Sequence, residues 1–212
     1  MTQIDLREGI VAAVRALSAH NLNHGTAGNV SARWNEGFLV TPTGLADDEM
    51  QPGDIVPMAL DGSWRGARKP SSEWRFHRDL YAARAEAGAV VHAHAPFATA
   101  LACIGTDIPP FHYMIARFGG ATVRCAAYAT FGTQALSDAA LTALDGRCAC
   151  LLANHGMLVF GRDLRQALDL AIEFESLCEQ YWRALQVGQP VLLDATEMEV
   201  VLEKFRTYGQ QN

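Results

Sequence analysis

The stretch AVVHAHAPF, residues 89–97, decides how the chain is read. It is a short apolar run that passes into two histidines and closes on a proline. In a β-strand, residues i and i+2 project from one face. Such a strand would hold His92 and His94 side by side, within reach of one cation. Pro96 is well placed in the first turn of a following helix, because it lacks the N–H that a first turn leaves unused. A strand running into a helix is therefore expected here. Taken alone, the pair is equally a pair of satisfied structural histidines.

A third histidine shifts that balance. LLANHGML, residues 151–158, sets His155 after a buried run and before Gly156. Three imidazoles make an open zinc site with room left for substrate, and iron, cobalt or manganese are the other candidates. His20, His24, His77 and His112 show no such pairing and are read as structural or solvated. Upstream, SSEW places Glu73 in the first turn of a helix expected over 72–86, where the macrodipole favours a carboxylate. It could be a metal ligand, a general base or a plain helix-terminal charge. GTAGNVS (25–31), TPTG (41–44) and the Ser71–Ser72 pair offer hydroxyls and turn N–H groups. Such groups can bind a phosphate dianion without a lysine, although turns are rich in these residues for other reasons.

The remaining pattern surrounds this centre with mixed elements. Ile4, Ile10, Val11, Val14 and Leu17 recur at helical spacing over 4–20. FLVTPTG reads as a short strand, and DIVPMALDGSW as a strand followed by a turn at Asp61–Gly62. Arg65, Arg68 and Lys69 form either a solvated loop or a substrate clamp. ATVRCA and CACLLAN read as buried strands separated by the helical TQALSDAALTAL, and GMLVF as a hairpin partner. DLRQALDLAIEFESLCEQYWRALQ is the longest helical pattern, started by Asp163 and Gln166, and a last helix is expected near 196–206. Strands and helices mix without strict alternation. The expected fold is a mixed, three-layer α/β domain with a mainly antiparallel central sheet flanked by helices. No repeat or linker interrupts it, so one domain over 1–212 is expected.

Composition excludes several classes. Seventeen Lys and Arg against 23 Asp and Glu give a net charge of −6. That argues against nucleic acid or an anionic membrane as the main partner. The five cysteines include no Cys-x-x-Cys pair and read as reduced core residues of a cytoplasmic protein. A thiolate site on Cys148 and Cys150 is the sharper alternative. The N-terminus lacks the pattern of a signal peptide, and the Ala-rich stretch 87–105, with two histidines, does not read as a membrane span.

From about residue 8 to the tail, the sequence resembles the class II aldolase/adducin family. The agreement is carried by GTAGNVS, TPTG, PSSEWRFH, VVHAHA, HYMIA, AYATFGT, NHG and LEKF-x-TYG. The resemblance implies that His92, His94 and His155 hold one Zn²⁺, and that Glu73 is the catalytic acid/base and can also touch the metal. It implies a phosphate site from Asn29, Thr43, Gly44, Ser71 and Ser72, with Thr26 and Gly28 nearby. Tyr113 would come from a neighbouring subunit of a homotetramer to handle the proton on the aldehyde oxygen. Tyr208 would be a second, mobile tyrosine, and Phe131 would border the aldehyde pocket. The partner would be a small sugar phosphate. The implied reaction is reversible cleavage of L-fuculose 1-phosphate to dihydroxyacetone phosphate and L-lactaldehyde. The alternative substrate is 5-deoxyribulose 1-phosphate or its methylthio analogue.

Two departures bear on the substrate. Ala93 stands between the first two histidines where fuculose enzymes carry a polar residue, and Arg117–Phe118 replace a plainer stretch. Epimerases of the family carry aspartate where Glu73 stands. Decarboxylase and dehydratase relatives are further alternatives. An adducin-like binding module would have no need of the histidines that are present here.

Overall fold

Strand β4 (Ala89–Ala93) lies at the centre of a seven-stranded sheet and sorts the chain into two cores. Ala89, Val91 and Ala93 face one core, and Val90 faces the other. Both valines are completely buried, which stabilises the fold by about 1.5–3 kcal/mol for each. The computed structural model describes residues 2–207. The other strands are β1 (Asn29–Trp34), β2 (Gly37–Val40), β3 (Val56–Ala59), β5 (Cys125–Ala126), β6 (Ala149–Leu152) and β7 (Gly156–Gly161). They lie in the order β3-β2-β1-β4-β7-β6-β5. Every neighbouring pair is antiparallel except β5 with β6.

Helices cover both faces, as the mixed pattern predicts. The first core joins the sheet to α1 (Gln3–Ala19), α3 (Pro96–Ala102), α5 (Leu164–Val187) and α6 (Ala195–Thr207). The second joins it to α2 (Trp74–Ala83) and α4 (Gln134–Ala143). The result is a three-layer mixed α/β fold. Among the described residues, no helix is long and apolar enough to cross a membrane.

Several local expectations change. Helix α1 starts on a Thr2–Asp5 capping box, but Ile4 points outward at 66% exposure and Leu6 packs inward instead. The segment after Gly28 is strand β1, which the turn-rich sequence hid. ATVRCA contributes only Cys125 and Ala126 to a strand; Val123 forms an isolated bridge with Ile108. Helix α2 begins at Trp74, so Glu73 precedes the first turn. Ser71 takes over the cap there, accepting from the Glu73 N–H at 3.3 Å and, through its carbonyl, from the Trp74 N–H at 3.2 Å. Helix α5 starts as read: Asp163 accepts from the Gln166 N–H, and Gln166 reaches back to the Arg162 N–H. All five cysteines are free thiols, Cys150 and Cys178 being buried.

Candidate active site

The site forms where β4 ends and its antiparallel neighbours β1 and β7 begin, beside the start of α2. His92 shares the face of Val90 and lies under the α2 helix, with its ring 5.5 Å from that of Phe76. His94 is two residues on, just past the end of β4. His155 sits in the three-residue loop that joins β6 to β7, where Leu152 pairs with Gly156. Asn154 takes φ 54° in that loop, a left-handed conformation that asparagine tolerates better than most residues.

The three imidazoles converge. Their ligand atoms all lie within 4.8 Å of one another, and His92 Nε2 is 3.1 Å from His94 Nε2. His92 Nδ1 is 2.8 Å from the Met157 carbonyl, to which it donates. That bond commits the proton to Nδ1 and turns the Nε2 lone pair inward, the usual orientation of a metal-bound imidazole. His94 gains a backbone tether: its N–H donates to Asn23 Oδ1 at 3.1 Å. Burial holds His94 down to about 4, helped by repulsion from His92. His155 is likewise held down to about 4, mainly by burial. Both therefore present neutral lone pairs at neutral pH.

Glu73 faces the same point. Its Oε2 lies 3.2 Å from His92 Nε2, and its Oε1 lies 3.3 Å from His155 Nε2. Burial opposes its ionisation. The neighbouring His92 and His155 rings, with the hydrogen bond from Asn29, outweigh burial and hold the carboxyl down to about 2. Its Oε1 is buried and has no hydrogen-bond partner, an arrangement that costs stability unless a cation or substrate satisfies it. Inward lone pairs at this spacing, beside an orphaned carboxylate oxygen, fit a single small cation held by histidine nitrogens.

Beside this cluster is a cavity of about 320 Å³. Thr26, Gly28, Asn29, Thr43, Gly44, Ser71, Ser72, Glu73 and Phe131 all line it, together with His94 and His155. Four Ser and Thr hydroxyls and the segment leading into α2 therefore surround a space that, among the described residues, has no lysine or arginine in its wall. Gly28, at φ 74°, leaves room for Asn23: a Cβ there would come within 2.3 Å of the Asn23 amide. Arg65, Arg68 and Lys69 lie outside the cavity as an exposed loop, and Arg68 pairs with Asp54 at 3.0 Å. The clamp reading of these three is set aside. Tyr113 does not reach the cavity of its own chain. It is 51% exposed and stacks on Phe205 of α6. Tyr208 lies outside the described residues.

Sequence reasoning missed three neighbours. Tyr128 lines the cavity at 64% exposure, and an aromatic among small residues in AYATFGT was the available signal. Asn154 was signalled by its place before His-Gly. Asn23 carried no signal of its own. His77, read as structural or solvated, is completely buried and hydrogen-bonded to Asn29.

The family described as Class II Aldolase and Adducin N-terminal domain matches residues 8–182. The chain belongs to this family and is a class II aldolase, a lyase. It is 57% identical over 208 residues to a 5-methylthioribulose-1-phosphate/5-deoxyribulose-1-phosphate aldolase of Rhodospirillum rubrum, covering 98% of this chain and 94% of that protein. It is 43% identical over 210 residues to an L-fuculose phosphate aldolase of Escherichia coli K12, covering 99% and 98%. A solved L-fuculose 1-phosphate aldolase superposes with a TM-score of 0.92 at 39% identity, covering 95% of this chain and 96% of that one.

Proposed function

We propose that this chain, as one domain over 1–212, is a zinc-dependent aldolase that cleaves 5-deoxyribulose 1-phosphate and 5-methylthioribulose 1-phosphate. The products would be dihydroxyacetone phosphate and acetaldehyde or methylthioacetaldehyde. The observation that carries the choice is the 57% identity over nearly the whole chain to the Rhodospirillum rubrum enzyme, against 43% to the fuculose enzyme. The order of the two expected substrates is thereby reversed. The cavity agrees with it in chemistry. Tyr128, Ala129 and Phe131 give one side an apolar character, suited to a methyl or thioether tail. L-fuculose 1-phosphate carries a further hydroxyl at that end, which needs a polar partner.

His92, His94 and His155 would hold the zinc, with Glu73 touching it when no substrate is bound. Bound zinc supplies a Lewis acid that polarises the ketose carbonyl and stabilises the charge released as the C3–C4 bond breaks. Thr26, Gly28, Asn29, Thr43, Gly44, Ser71 and Ser72 would receive the phosphate at the start of α2, which fixes the register of the scissile bond. In the condensation direction Glu73 would take a proton from the hydroxymethyl carbon of dihydroxyacetone phosphate. Tyr113 would give a proton to the aldehyde oxygen as the new carbon–carbon bond forms. Because Tyr113 is absent from its own chain's cavity, that role requires a neighbouring subunit, as in a homotetramer.

Purified protein should be assayed for dihydroxyacetone phosphate release from the three ketose 1-phosphates. The expected result is a higher kcat/KM for the deoxyribulose and methylthioribulose substrates than for L-fuculose 1-phosphate. A clear preference for L-fuculose 1-phosphate would overturn the assignment.

A further inference from the structure

Behind Glu73, β1 and α2 face each other through four polar side chains. Asn29 and Ser31 are two apart on β1 and share a face. His77 and Tyr81 are four apart on α2 and also share a face. Asn29, Ser31, His77 and Tyr81 are all buried. His77 Nε2 is 2.6 Å from Asn29 Oδ1, and His77 Nδ1 is 2.7 Å from Ser31 Oγ. Ser31 Oγ is 2.7 Å from the Tyr81 hydroxyl. At the other end, Asn29 Nδ2 donates to Glu73 Oε2 at 3.1 Å.

The carboxylate fixes the direction of the whole chain. An ionised Glu73 accepts only, so Asn29 must turn its N–H₂ toward it and its carbonyl toward His77. His77 Nε2 must then carry the proton, and Nδ1, left with a lone pair, accepts from Ser31. Ser31 in turn accepts from the Tyr81 hydroxyl. Each of these roles fits the burial. Desolvation, the largest cause, holds His77 down to about 3, so it stays neutral. Burial also pushes the Tyr81 phenol up, so it keeps its proton. Were the Asn29 amide reversed, two acceptors would meet at Glu73, and a His77 that keeps its Nε2 proton would face a second donor.

We propose that His77 is a positioning residue for Glu73: its Nε2–H locks the Asn29 amide so that a donor, never an acceptor, faces the carboxylate. His77 lines neither the cavity nor the set of three converging histidines, and its hydrogen-bonded path to Glu73 runs through Asn29. The inference rests on the reading of Glu73 as the acid/base, and goes beyond it by naming what orients that group.

The test uses the metal-loaded enzyme with metal content matched between proteins. His77→Phe removes the donor and is expected to lower kcat about tenfold, the cost of a buried group left unsatisfied, while KM moves by no more than about twofold. His77→Gln places an N–H₂ near the lost Nε2–H and should recover most of the turnover. In the wild type, ¹⁵N spectra of labelled histidine should show His77 as the neutral Nε2–H tautomer. A folded His77→Phe enzyme with wild-type kcat would overturn the proposal. So would a His77→Gln enzyme as slow as the Phe variant, or an Nδ1–H or doubly protonated His77 in the wild-type spectra. If His77→Phe does not fold, the glutamine variant and the spectra still decide. A wild type with no aldol activity would remove the reading on which the inference rests, whereas an active wild type beside an equally active His77→Phe overturns the inference alone.

Discussion

His77, His94 and His155 show at the residue scale what the site costs the fold. Each is kept neutral by its surroundings, with the proton affinity held to about 3 for His77 and about 4 for the other two. In the unfolded chain a histidine titrates near 6.5. Below that pH the unfolded state binds protons that the folded state refuses, so stability is complete above 6.5 and falls as the pH drops toward the folded values. Glu73 does not mask this effect: its depressed value is lost as stability only below 4.5. For metal-free protein, urea midpoints measured at pH 7, 6 and 5 should therefore fall steadily. The completely buried His77 alone contributes a loss of about 1.4 kcal/mol per pH unit well below 6.5, and the more exposed His94 and His155 contribute less. A midpoint that stays level from pH 7 to 5 would contradict the neutral-histidine description. This residue-level content was only partly legible in the sequence. Spacing alone revealed the pairing of His92 with His94. The burial of His77 follows from strand β1, which the glycines and hydroxyls of GTAGNVS concealed.

At the scale of elements, the ligands depend on how tightly β4 and β7 are joined. Gly156 follows His155 directly, and a Cβ there would lie 2.5 Å from the Ala93 carbonyl and 3.1 Å from His94 Cδ2. The first contact is with backbone, so it cannot be relieved by a side-chain rotation. Gly156→Ala should push β7 away from β4 beside His155, in the loop just before β7, and His92 on β4, with a loss of about 1–3 kcal/mol in stability. Metal affinity should weaken with it, since ligand spacing is set by the same pair of strands. Thermal melting with and without metal measures both, and an unchanged melting temperature with unchanged affinity would show the contact to be relieved elsewhere. The hairpin and the strand before Pro96 were legible because their apolar runs are short and sharply bounded. The start of α2 was misplaced by the two serines: Ser71 bonds the Glu73 and Trp74 N–H groups from before the helix, which leaves the Glu73 side chain free to turn toward the histidines.

For the molecule as a whole, the mixed sheet with helices on both faces was readable from the irregular order of strand and helix patterns. The sheet order was not, because β1 pairs with β4 across more than fifty residues and periodicity carries no information about partners. That long-range pairing, Asn29 opposite His92, brings the GTAGNVS segment beside the histidines. The proposed chemistry therefore depends on one cation held by three imidazoles distant in the chain. The most direct measurement is metal content: protein stripped with chelator, then titrated with zinc, and assayed for aldol cleavage at each step. The expected result is one zinc per chain, turnover that returns in proportion, and loss of both in His155→Ala. Full turnover in the stripped protein, or zinc uptake undiminished in His155→Ala, would contradict it.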